Sequence, residues 1–165
     1  LIPNIQKLIE GFRTAGASII WITYGANARD ASDAPPHIAP IIKATNNIAG
    51  QPEHEVVDAL KPGPDDLVLN KTTQGAFRST ALDSALRALG VTTVVSTGVS
   101  TNNCVAMTSM EACDLQYQVV VASDGTGTDS EDMQQATLTM LKRLWARVLS
   151  TEEILAELQT TGGTP

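Results

Sequence analysis

Five β-prone runs in this chain are separated by helical or loop stretches, and no two-residue turn signal joins one run to the next. Antiparallel neighbours can be connected by tight hairpins, whereas parallel strands need crossovers of a dozen or more residues. The spacing therefore selects a parallel α/β sheet with helices on both faces. The runs are Ala17 to Tyr24, Asp66 to Asn70, Thr92 to Thr97, Gln118 to Ala122 and Arg147 to Leu149. The first is apolar almost throughout, as expected of a strand covered on both sides.

Helices fill the intervals. Ile5, Leu8, Ile9 and Phe12 have helical spacing within Leu1 to Ala15, and Gly16 is a good stop. Further helices are predicted from Ser79 to Gly90, from near Cys104 onward, and over Ser130 to Trp145. Ser150 and Glu153 have the spacing of a capping box opening a last helix. Gly25 to Gln51 reads as a long loop with a turn or two of helix, and Gly162 to Pro165 as a frayed tail.

With 165 residues and 42% apolar content, the chain has the size of one domain with a real core. A net charge of -7 provides no basic stripe, so neither nucleic acid nor an anionic membrane surface is an expected partner. Cys104 and Cys113 stand nine residues apart along one predicted helix. That separation is about 13 Å, too far for a disulfide. Free thiols, with neither a membrane span nor a signal-peptide layout, suggest a cytoplasmic setting.

In a parallel α/β sheet, sites form at the carboxyl ends of strands, where both Lys71 and Cys104 fall. Cys104 follows the strand and polar turn Val94 to Asn103 and opens a helix. Unpaired N–H groups and the positive end of the helix dipole favour a thiolate there and can hold an oxyanion. Lys71 ends an apolar strand; if it lies near Cys104, its charge adds to the same effect. Cys113 shares a packing stripe with Ala106, Met110 and Tyr117 and reads as structural. His37 and His54 lack the spacing of a metal site and read as solvated, and Gly125-Thr126-Gly127 reads as a turn. No metal or cofactor is expected.

These segments resemble the isochorismatase-like cysteine hydrolases, which include nicotinamidases and hydrolases of N-carbamoyl amides, ureidoacrylate and biuret. Thr97 to Val105 is similar to that family's nucleophile segment, and Glu111 to Asp114 with Val119 to Asp124 continues it. Lys71, Gly75-Ala76-Phe77 and Thr80 to Asp83 are similar to its lysine segment. The resemblance implies a three-layer αβα, doubly wound, Rossmann-like fold in one domain over 1–165. It also implies an Asp-Lys-Cys triad with Cys104 as nucleophile and Lys71 as its support. A cis peptide at Val99-Ser100 is implied, with the Ser100 and Cys104 N–H groups at the oxyanion, and Phe77, Thr101 and Asn103 lining or shaping the substrate pocket. The implied substrate is a small amide or N-carbamoyl compound, cleaved without a cofactor by a homodimer or homotetramer.

The triad aspartate of the family ends a strand that precedes the helix with which this sequence opens. Strand and aspartate are absent from the sequence, so the domain is expected to be N-terminally incomplete. Asp30, Asp33 and Asp124 do not replace the aspartate: the first two follow Tyr24 in a loop, and the third reads as a turn or cap residue. Two alternatives stay open, a vinyl-ether hydrolase of isochorismatase type and a non-catalytic scaffold that lacks the aspartate.

Overall fold

The structure is a computed structural model and describes residues 1–161. Its helices are α1 (Ile2–Thr14), α2 (Ala39–Ala44), α3 (Leu82–Ala88), α4 (Ala106–Asp114), α5 (Glu131–Leu144) and α6 (Thr151–Thr161). Its strands are β1 (Ile20–Tyr24), β2 (Leu67–Lys71), β3 (Thr93–Val99), β4 (Gln118–Gly127) and β5 (Arg147–Leu149). All pairings are parallel, but they form two ladders, β1-β2 and β3-β4-β5. No strand pairing among the described residues joins the two.

Side chains join them instead. Alternation along β4 sends Val119 and Val121 to one face and Val120 and Ala122 to the other. On the first face, Leu82 and Leu86 of α3, Ala106 and Ala112 of α4, and Leu138 and Leu141 of α5 close over the sheet. Ile20, Ile22 and Leu69 from the first ladder pack into that cluster beside Val94 of the second. On the other face, Leu8 and Phe12 of α1 meet Ile154 and Leu155 of α6 over Val95, Val120 and Leu149. The result is the expected three-layer arrangement, with both sheet faces buried.

Several boundaries differ from the sequence reading for local reasons. β1 begins at Ile20 because the preceding residues close α1: Gly16 N–H donates to Arg13 and Ala17 N–H to Phe12. α3 begins at Leu82 because Ser79 and Thr80 bond back into the loop before it. β4 is longer than expected, so Gly125 to Gly127 is strand and not turn: Thr126 pairs with Gly98 and Gly127 with Val99 after a register shift. A Cβ at Gly125 would lie 2.8 Å from the Ala122 Cβ and 2.9 Å from Thr97 Oγ1, so a glycine is needed for that close passage.

Caps and loops behave more simply. The capping box is present, with Ser150 N–H donating to Glu153 at 2.7 Å and Glu153 N–H to Ser150 Oγ at 3.2 Å. Asp124 also serves α6, accepting from Thr151 N–H at 2.8 Å. The long segment after β1 is more ordered than a loop: Ala26, Ala31, Ala34, Ile42 and Ile48 form a small core of their own against Tyr24. Asp33 fixes its first turn by accepting from the N–H groups of Asn27 and Ala28. The tail at 162–165 lies outside the described residues. No helix among the described residues is long and apolar enough to cross a membrane.

Candidate active site

Lys71 closes β2 and Cys104 lies in the π-helical turn Thr101–Val105 that follows β3. The two sequence candidates, 33 residues apart, meet: Lys71 Nζ donates to Cys104 Sγ at 3.1 Å. Lys71 is 2% exposed and also donates to the Thr73 carbonyl at 2.9 Å. Its ammonium stands 4.0 Å from the centroid of the Tyr24 ring, on the face where the π-quadrupole attracts a cation. Burial pushes the Lys71 pKa below its ordinary 10.5, and the charges of Cys104 and Glu111 work against that shift.

The Lys71 loop is held by α4, the helix that the Cys104 turn runs into. Ala76 N–H donates to Thr108 Oγ1 and Phe77 N–H to Glu111 Oε2, each at 3.2 Å, and both acceptors belong to α4. Arg78 pairs with the second oxygen of Glu111 at 3.4 Å. Ser79 Oγ accepts from the Thr72 and Thr73 N–H groups at 3.1 and 3.3 Å. A Cβ at Gly75 would fall 2.2 Å from Glu111 Oε2, so a side chain there would have to displace that carboxylate. One element, α4, therefore fixes the Lys71 loop and the Cys104 turn relative to each other.

The peptide bond between Val99 and Ser100 is cis, as the resemblance implied. Ser100 caps the turn, its carbonyl accepting from the Asn103 and Val105 N–H groups at 3.1 and 3.2 Å. Thr101 is wholly buried and its hydroxyl has no hydrogen-bond partner among the described residues, while Asn103 is exposed. Phe77 stacks on Tyr117 with ring centroids 6.0 Å apart, against the core cluster. Cys113 packs at the edge of that cluster, and neither cysteine is in a disulfide.

Two residues beside the sulfur were not singled out from the sequence. Gln74 Oε1 accepts from Cys104 Sγ at 3.4 Å, and Gln74 Nε2 donates to Tyr24 Oη at 3.2 Å. Burial and the charge of Cys104 both raise the Tyr24 pKa, against a smaller lowering by the Gln74 hydrogen bond. The signal available in the sequence was positional, since Tyr24 ends a strand as Lys71 does and Gln74 follows Lys71 by three residues.

His54 corrects the reading of both histidines as solvated. His37 is exposed, but His54 is half-buried and its Nε2 lies 2.8 Å from Asn70 Oδ1, while Asn70 Nδ2 donates to Asn27 Oδ1 at 2.9 Å. Among the described residues no cluster of His, Cys, Asp or Glu could hold a metal. Likewise no described carboxylate is hydrogen-bonded to Cys104 or Lys71.

The structure thus brings a buried lysine onto a cysteine at the carboxyl rim of a parallel α/β fold. Residues 1–153 match the isochorismatase domain model, and the chain belongs to the isochorismatase family. It is 31% identical over 163 residues to the ureidoacrylate amidohydrolase RutB of Methylobacterium radiotolerans, an alignment covering 90% of this chain and 63% of that protein. The chain thus spans under two thirds of that relative. A cysteine hydrolase from Pseudomonas syringae superimposes with a TM-score of 0.85 at 27% identity, over 96% of this chain and 80% of that one. N-carbamoylsarcosine amidase from Thermoplasma acidophilum gives 0.77 at 27% identity, over 92% and 82%.

Proposed function

We propose that this chain carries the site of a cysteine-dependent amidohydrolase acting on a small amide or N-carbamoyl substrate. The observation that carries the reading is the 3.1 Å contact between the buried Lys71 ammonium and Cys104 Sγ. The thiolate is the nucleophile of such chemistry, and the Lys71 ammonium is placed to pair with its charge. The names of the ureidoacrylate amidohydrolase and the N-carbamoylsarcosine amidase support the substrate class.

In this reading the thiolate attacks the amide carbonyl carbon, and the Ser100 and Cys104 N–H groups receive the oxyanion. The C–N bond then breaks, the amine leaves with a proton, and a thioester remains on Cys104. Water attacks the thioester, releasing the acid and restoring the thiolate. Thr101 and Asn103 shape the turn that presents the sulfur, and Phe77 braces the lysine loop. A carboxylate of the kind the family triad implies would take the thiol proton and return it to the leaving nitrogen; no described carboxylate is hydrogen-bonded to Cys104 or Lys71.

Ammonia release from N-carbamoyl amino acids, ureidoacrylate, biuret and nicotinamide, measured for the wild type and for Cys104→Ala, tests this. Turnover of an N-carbamoyl or urea-like compound that Cys104→Ala abolishes is the expected result. Turnover that survives Cys104→Ala would contradict a cysteine mechanism.

A further inference from the structure

We propose that Gln74 is a specificity-determining residue that accepts a hydrogen bond from an N–H borne by the scissile carbonyl carbon. The proposal rests on the reading of Cys104 as the nucleophile. A glutamine amide has one accepting and one donating end. Here the donating end is engaged by Tyr24 Oη, and Tyr24 is itself fixed beneath the Lys71 ammonium, so the accepting end faces the sulfur.

In the thiol state the S–H occupies Gln74 Oε1. Once the proton leaves, the sulfur has nothing to donate, and a half-buried carbonyl oxygen 3.4 Å from it loses its partner. A carbonyl carbon bonded to the sulfur brings its own substituent within reach of that oxygen. If the substituent is N–H, as in a ureido or carbamoyl group, Oε1 is satisfied again. With a methyl group or an ether oxygen there, Oε1 stays unpaired. Sites built to bond an N–H reject analogues that lack it far more strongly than apolar pockets reject a missing methylene.

The test uses p-nitrophenyl carbamate and p-nitrophenyl acetate, which carry NH2 and CH3 on the same carbonyl. The thiolate attacks that carbon, a C–S bond forms, the C–O bond breaks, and p-nitrophenolate leaves with the electron pair. First-turnover release is measured for each ester and divided by its rate with N-acetylcysteine, which removes intrinsic reactivity. Intact mass and peptide mapping locate the adduct.

The wild type is expected to favour the carbamate, and Gln74→Leu to lower that preference by about tenfold or more. Gln74→Met, closer in shape and also without an acceptor, gives the same readout if the leucine variant does not fold. A role in holding the thiol, or in donating to the thiolate after an amide flip, would change both rates by the same factor and leave the ratio unmoved. An unchanged ratio with acylation still at Cys104 therefore overturns the role of Gln74 alone. Release of p-nitrophenolate from both esters that is no faster in the wild type than in Cys104→Ala, with no adduct at Cys104, overturns the nucleophile reading and this proposal with it.

Discussion

Tyr24 and Lys71 are register partners at the carboxyl ends of β1 and β2, and the lysine ammonium stands 4.0 Å from the tyrosine ring centroid. The same ammonium bonds Cys104, so the β1-β2 ladder reaches the turn that follows β3 of the other ladder through one side chain. Lys71 is thus both the partner of the Cys104 sulfur and a buried charge.

That double role separates stability from reactivity. Burial depresses the Lys71 pKa from 10.5, so the unfolded chain binds more protons than the folded one between the folded value and 10.5. The contribution to stability is complete above 10.5 and is lost as pH falls through the folded value. Lys71→Met replaces a buried ammonium by an apolar side chain and is expected to stabilise the fold at pH 7 by about 1–2 kcal/mol, a gain that shrinks toward pH 10.5. Thermal melts across this range check it; destabilisation at pH 7 would contradict the account.

Gly75 tests how the lysine loop is held. A methyl group there overlaps the Glu111 carboxylate, which also bonds Phe77 N–H and Arg78. Gly75→Ala is expected to destabilise by about 1–3 kcal/mol and to slow alkylation of Cys104. Chemical denaturation and labelling rates measure the two effects, and a variant with wild-type values for both would remove Glu111 from the support of the site.

Asp66 tests the other end of the first ladder. Its burial raises the carboxyl pKa, but hydrogen bonds from Trp21 Nε1 at 2.7 Å, Gly63 N–H at 2.8 Å and Arg13 outweigh this and hold it below 3.8. The stabilisation is present above 3.8 and is lost as pH falls through the folded value. Asp66→Asn is expected to lower stability by about 1–3 kcal/mol at pH 7, with the difference closing in acid. A difference that is constant down to pH 2 would contradict this assignment.

The layers and most elements were legible because they follow from local pattern. Ile5, Leu8 and Phe12 form the inner stripe of α1, and Ser150 with Glu153 caps α6. β4 was read five residues short because Gly125 and Gly127 look like turn residues, and only the approach of Thr97 shows why a strand needs Gly125. Lys71 and Cys104 were legible individually from their places at strand ends. Their contact was not, since it depends on how two separate ladders pack. Gln74 and His54 were missed for the same reason: each acquires its role from a partner distant in sequence, Cys104 for one and Asn70 for the other.

The central claim is that Lys71 makes Cys104 the reactive thiol, and competitive alkylation tests it most directly. Purified protein is treated with limiting iodoacetamide at pH 7, and Cys104 and Cys113 are quantified by peptide mapping in the wild type and in Lys71→Met. The account predicts that Cys104 is labelled at least about tenfold faster than Cys113 and that Lys71→Met removes most of this advantage. Equal or reversed labelling in the wild type, or an advantage that survives Lys71→Met, would contradict it.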